Sequence, residues 1–110
     1  MPPSNEPEIR SVSVGELRNI FNNGGYLRRI ENGDLIPDIW SDKEPDPLPQ
    51  GEPPGTRSQM VDYLTTSGLH VVTVHRYLRP NGQIGASGRL DPKYVLHRGV
   101  AYVSYDFGKP

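Results

Sequence analysis

Residues 69–82, LHVVTVHRYLRPNG, constrain the fold of this chain more than any other stretch. Ten residues rich in β-branched and aromatic side chains run without a turn residue, which is the composition of a strand. Alternation puts Leu69, Val71, Thr73, His75 and Tyr77 on one face and His70, Val72, Val74, Arg76 and Leu78 on the other. Both faces begin apolar, so the strand is expected at the centre of a sheet. Pro80-Asn81-Gly82 then suits a three-residue hairpin loop, with Pro first in a type I turn and Gly in the left-handed position. That loop predicts a register in which Arg79 faces Gln83, Leu78 faces Ile84, Tyr77 faces Gly85, Arg76 faces Ala86 and His75 faces Ser87. Tyr77 would lie across the bare backbone of Gly85.

The rest of the chain is read around this hairpin. Ser13 followed by Glu16 forms a capping box, Val14, Leu17, Ile20 and Phe21 share a helical face, and Gly24 ends the pattern. A helix is predicted at 14–22. Asn32-Gly33 between two apolar runs signals a second hairpin, with strands at 26–30 and 35–40. Pro37 lacks an N–H, so its strand belongs at an edge or is irregular. Trp40, the only tryptophan, is expected to anchor the core or a lid. Residues 59–66 admit a helix through Thr56 and Gln59, but Val61, Tyr63, Thr65 and Thr66 favour a strand. Asp91, Pro92 and Gly99 suit the cap, first turn and end of a short helix, and 100–105 is a final strand.

With 110 residues, 34% of them apolar, and 24 Gly or Pro, the chain can bury one modest core. The fold class is therefore α+β: an N-terminal helix packed on a twisted antiparallel sheet of about five strands, with a short helix before the last. Residues 1–10 are Pro-rich and polar and are expected to be a disordered tail, leaving 11–110 as one domain. Residues 41–55 carry five prolines together with Asp42, Glu44, Asp46 and Glu52, and read as an acidic, extended loop. The N-terminus lacks the apolar core of a signal peptide, and no apolar run nears the about 20 residues that span a bilayer. The expectation is a soluble, cytoplasmic protein with no membrane partner.

Charge is distributed unevenly. Residues 1–56 hold five Lys or Arg against ten acids, whereas 57–110 hold seven against three, although the whole chain is at −1. The glycines at 82, 85 and 88 lack both the Lys-Ser/Thr of a phosphate loop and the Rossmann spacing, so they read as hairpin geometry and close backbone approach. With no cysteine there is neither disulfide nor thiol chemistry. His70 and His75 fall on opposite strand faces, and His97 has no ligand-type neighbour one helical turn away, so neither metal nor other cofactor is expected. The candidate binding residues are His75, Tyr77, Arg79, Arg89, Lys93 and His97. Arg and Lys neutralise phosphates and Tyr stacks on unpaired bases, but the same surface also suits a protein. The function expected is a small binding domain acting through this basic, tyrosine-bearing face on another protein or on single-stranded nucleic acid. The alternatives are a metal-independent ribonuclease-type toxin domain, with His as acid/base, and an antitoxin, immunity or inhibitor-like module. The acidic 42–52 segment is a candidate to fold over the basic face and mask it.

Overall fold

The computed structural model describes residues 7–105 and 107. Its elements are β1 (Glu8–Val12), α1 (Val14–Asn23), α2 (Tyr26–Glu31), β2 (Ile36–Lys43), β3 (Arg57–Leu64), β4 (His70–Leu78), β5 (Asp91–His97) and β6 (Val100–Ser104). The six strands make one sheet in the order β1-β6-β5-β4-β3-β2. Every neighbouring pair is antiparallel except β1 with β6, which is parallel. The class is α+β, as expected, but the sheet is mixed, has six strands rather than five, and is accompanied by two helices on the N-terminal side.

The first helix forms as its sequence dictates. Ser13 Oγ accepts from the backbone N–H of Glu16 at 3.1 Å and meets the Glu16 carboxylate at 3.0 Å. Leu17 and Phe21 are buried, and α1 packs chiefly on β5. The core unites them with Val12, Tyr26, Leu35, Val61, Tyr63, Val72, Val74 and Val95. β4 lies between β3 and β5, in the central position its two apolar faces required.

Four expectations about the course of the backbone are corrected. Residues 26–30 are helix, not strand. Leu and Arg propagate a helix well, and Asn32-Gly33 closes it instead of turning a hairpin: the Asn32 N–H donates to the Arg28 carbonyl at 2.9 Å and the Gly33 N–H to Ile30 at 3.2 Å. Gly33 takes φ of 79°, while Asn32 stays right-handed, so a type I′ turn is absent there.

Residues 91–97 are strand, not helix, because Tyr94 and Val95 pair with both neighbours and Val95 is buried. The two-residue hairpin turn lies instead at Arg98-Gly99, where φ is 50° and 80°. Gly99 had the look of a helix cap because both structures demand a left-handed residue.

The disordered tail gives way to β1 at Glu8, where Val12 enters the core; residues 1–6 of that expected tail lie outside the described residues. Finally, the register holds through Arg79–Gln83, Leu78–Ile84 and Tyr77–Gly85, then breaks. Ala86 takes φ of 54°, the chain turns away, and Asp91 rather than Ser87 lies opposite His75.

Three extra residues interrupt the ladders: Trp40 on β2, Val71 on β4 and Lys93 on β5. Each bulge shifts which side chains share a face. The Val71 bulge sends Val71, Val72 and Val74 to the helix side and leaves His70 on the same face as Thr73 and His75, so the two histidines are not on opposite faces. The Trp40 bulge turns its indole outward, 54% exposed rather than anchoring the core.

Candidate functional site

The helices cover one face of the sheet. The other carries, by strand alternation and register, Trp40 and Lys43 on β2, Ser58, Met60 and Asp62 on β3, His70, Thr73, His75 and Tyr77 on β4, and Lys93 and Tyr94 on β5.

At its centre is a network drawn from four strands. Asp62 Oδ1 accepts from Trp40 Nε1 at 2.9 Å and from Thr73 Oγ1 at 2.6 Å. Thr73 spends its only proton there, so His70 Nε2, 2.7 Å from the hydroxyl, must be the donor to it. The His70 ring stacks on Tyr94 with centroids 4.3 Å apart and planes 10° from parallel. Burial, with Asp62 second, pushes the Tyr94 phenol above its ordinary range. Thr73 is 1% exposed. Thr73→Val keeps the shape but takes away the acceptor of His70 and leaves Asp62 with the Trp40 indole as its donor, and is expected to cost about 1–2 kcal/mol in urea denaturation. A cost near zero would show that the hydroxyl does not bind the network together.

His75 lies along the same strand. Its Nε2 is 2.8 Å from Ser58 Oγ, and its ring meets Tyr77 edge-on with centroids 4.8 Å apart. Burial lowers its pKa, the Lys93 charge lowers it further, and Asp91 partly opposes both. The imidazole is therefore neutral at pH 7. A hydroxyl beside a neutral imidazole is the first half of a nucleophile–base pair. The second half, a group orienting the ring from its other nitrogen, has no counterpart among the described residues. Lys93 Nζ lies 3.2 Å from Asp91 Oδ2, so its charge is balanced locally.

Arg79 is engaged by the acidic loop. Its Nε and Nη2 reach Glu52 Oε2 and Oε1 at 2.8 and 2.9 Å, a bidentate pair in which the Glu52 side chain is 2% exposed. The Ala86 N–H donates to the same carboxylate, and Thr56 Oγ1 stands 3.5 Å away. The Arg79 hydrogen bonds, followed by that of Ala86, hold the Glu52 pKa down at about 2. A Cβ on Gly85 would come within 2.6 Å of Glu52 Oε2. The glycine thus makes room for a carboxylate, not for Tyr77. Of the glycine ladder, Gly85 flanks an anion site, and the anion is supplied by the chain itself. Nearby, Asp42 Oδ1 takes Arg57 Nε at 2.9 Å.

The six candidate residues do not converge. His75, Tyr77 and Lys93 share the open face, and Arg79 sits at its hairpin end beneath Glu52. Arg89 lines a cleft on the helix side. His97 is at the far end of β5, its Nδ1 2.6 Å from the Tyr26 hydroxyl, which also lies 3.0 Å from the Leu96 carbonyl. A short helix at 91–98 would have gathered Arg89, Lys93, His97 and Arg98 near one end; the strand Asp91–His97 separates them instead.

Sequence reasoning missed Trp40, Ser58, Asp62, His70, Thr73 and Tyr94: bulges bring Trp40 and His70 onto this face, and pairing between strands brings the others beside them, neither of which shows in the periodicity of a single strand. Glu52 did leave a trace: a glycine within a strand marks close approach of another group. No group of three metal-ligating side chains occurs among the described residues, and no helix there is long and apolar enough to cross a membrane. Fold and site together describe an α+β domain with one helix-covered and one open sheet face. Searches of protein-family models, curated proteins and solved structures found nothing that matches this chain.

Proposed function

We propose that this is a non-catalytic binding domain whose open sheet face takes a protein partner. The observation that carries this reading is the Trp40–Asp62–Thr73–His70–Tyr94 network, which holds large aromatic rings in place on a face that no helix covers. Rigid aromatic side chains supply contact area at low entropic cost and are the usual anchors of protein interfaces. Met60 beside them adds an adaptable apolar contact.

Charge favours a protein over nucleic acid. Of the basic side chains on this face, Arg79 is paired with Glu52 and Lys93 with Asp91, while Lys43 shares the face with Asp38 and Asp62. A polyanion would meet a nearly neutral surface. The stacked His70–Tyr94 pair does suit an unpaired base, which keeps single-stranded nucleic acid as the second reading. The ribonuclease reading has less support, since His75 and His97 lie on different faces and, their strands being antiparallel, towards opposite ends of the sheet.

The test is recovery of partners from native lysate by the tagged protein, with and without nuclease, in parallel with Trp40→Ala. Protein capture that survives nuclease and falls by about tenfold or more in the variant supports the reading. Capture that vanishes with nuclease, with affinity falling steeply in salt, supports the nucleic-acid reading. Capture indifferent to Trp40 would sink both.

A further inference from the structure

We infer that the helix side of the molecule carries a separate small-molecule site for an organic anion with a flat apolar body. The site is a cleft of about 890 Å³ between the two helices and the segment 84–92. That volume lies within the range of clefts that enclose compact organic ligands. Its floor is apolar, formed by the accessible edges of Phe21, Ile30, Tyr63, Ile84 and Leu90. Three guanidinium groups, those of Arg18, Arg76 and Arg89, line the same cleft.

The state of each arginine makes the case. Arg76 uses Nε on Gln59 Oε1 at 2.9 Å, which leaves its two terminal nitrogens for a ligand. Arg18 Nη2 stops 3.7 Å from Asp91 Oδ1, too far for a hydrogen bond, and that oxygen is buried without one. Arg89 is exposed and makes no hydrogen bond or ion pair among the described residues. A planar guanidinium fork matches a carboxylate or phosphate in two parallel hydrogen bonds. Glu31 and Asp91 also line the cleft, and Asp91 already balances Lys93. The excess is therefore one to two positive charges, which fits a single carboxylate or phosphate and not a polyphosphate.

An apolar floor with a cationic rim asks for both properties in one ligand. The flat body displaces water from the floor, while the anionic oxygens engage Arg89 and Arg76. Neither part alone satisfies the site. The site shares no lining residue with the Trp40 network, so it stands or falls independently of the protein-binding face.

The experiment is titration of the isotopically labelled protein, followed by amide NMR shifts. Adenosine 5′-monophosphate serves as the aromatic phosphate and indole-3-acetate as the aromatic carboxylate; adenosine, acetate and inorganic phosphate serve as the separate parts. At least one aromatic anion is expected to shift the amides of Phe21, Ile84 and Leu90 saturably, with Kd below about 1 mM. Whichever of the two binds tighter identifies the anionic group. Each separate part is expected to bind at least about tenfold more weakly, and R89E to weaken the aromatic anion by about tenfold or more. Arg89 is exposed and unpaired, so R89E is expected to leave the rest of the spectrum in place. The inference is overturned if neither aromatic anion gives localised, saturable shifts up to about 10 mM. It is overturned equally if adenosine binds as well as its phosphate, or if R89E binds like the parent protein.

Discussion

Glu52→Ala is expected to lower the melting temperature by about 5 °C or more, an unusual loss for a loop residue. The reason is what the carboxylate leaves behind. Arg79 and the Ala86 N–H both point at it, and its removal leaves a guanidinium and a backbone donor partly buried with no acceptor. Gly85→Ala should act at the same place from the other side, since its Cβ would intrude on the carboxylate. The two effects should not add, because each alone disrupts the same contact. Additive losses would mean that the glycine and the glutamate serve different purposes.

The same contact predicts a pH dependence. The folded Glu52 pKa is about 2, below its ordinary value of 4.5. A depressed carboxylate contributes stability that is full above its unfolded pKa and is lost as pH falls through the folded one. The gap in melting temperature between the parent protein and Glu52→Gln should therefore be constant from neutral pH to about 4.5 and close as pH falls towards about 2. A gap that stays constant down to pH 2 would contradict the pairing.

The second large effect lies in the core. Leu17→Ala is expected to cost about 3 kcal/mol in urea, through a lower midpoint at unchanged slope. Leu17 is fully buried where α1 meets the sheet, and neither the helix nor β5 can move in to fill the space without losing other contacts. A cost below about 1 kcal/mol would mean that α1 is not seated as described.

The parts of this fold legible in the sequence are those set by local chemistry. Ser13 and Glu16 announced α1, and the β-branched run from Leu69 announced β4. Pro80-Asn81-Gly82 set a register correct as far as Gly85. The misreadings share a physical cause: one local signal serves two structures. Asn32-Gly33 and Gly99 each offer a left-handed residue, which closes a helix in one case and turns a hairpin in the other. Only the neighbours across the sheet decide. The bulges at Trp40, Val71 and Lys93 are similarly silent in one dimension, and they determine which side chains meet on the open face. Glu52 lies 27 residues from Arg79 and 34 from Ala86 along the chain, so its destination could be suspected from charge but not located.

The edges of the sheet bear on how the molecule meets others. A free strand edge is a template on which any extended chain can add. On β2, Pro37 has no N–H to offer, the Trp40 bulge breaks the even spacing, and Asp38 and Asp42 put charge along the margin. On β1 the margin is only five residues long and carries the Glu8–Arg10 ion pair. Neither side presents a long, flat row of unpaired amides, so self-propagating strand addition is discouraged at both. Association is thereby directed away from the backbone and onto side chains, where recognition can be selective.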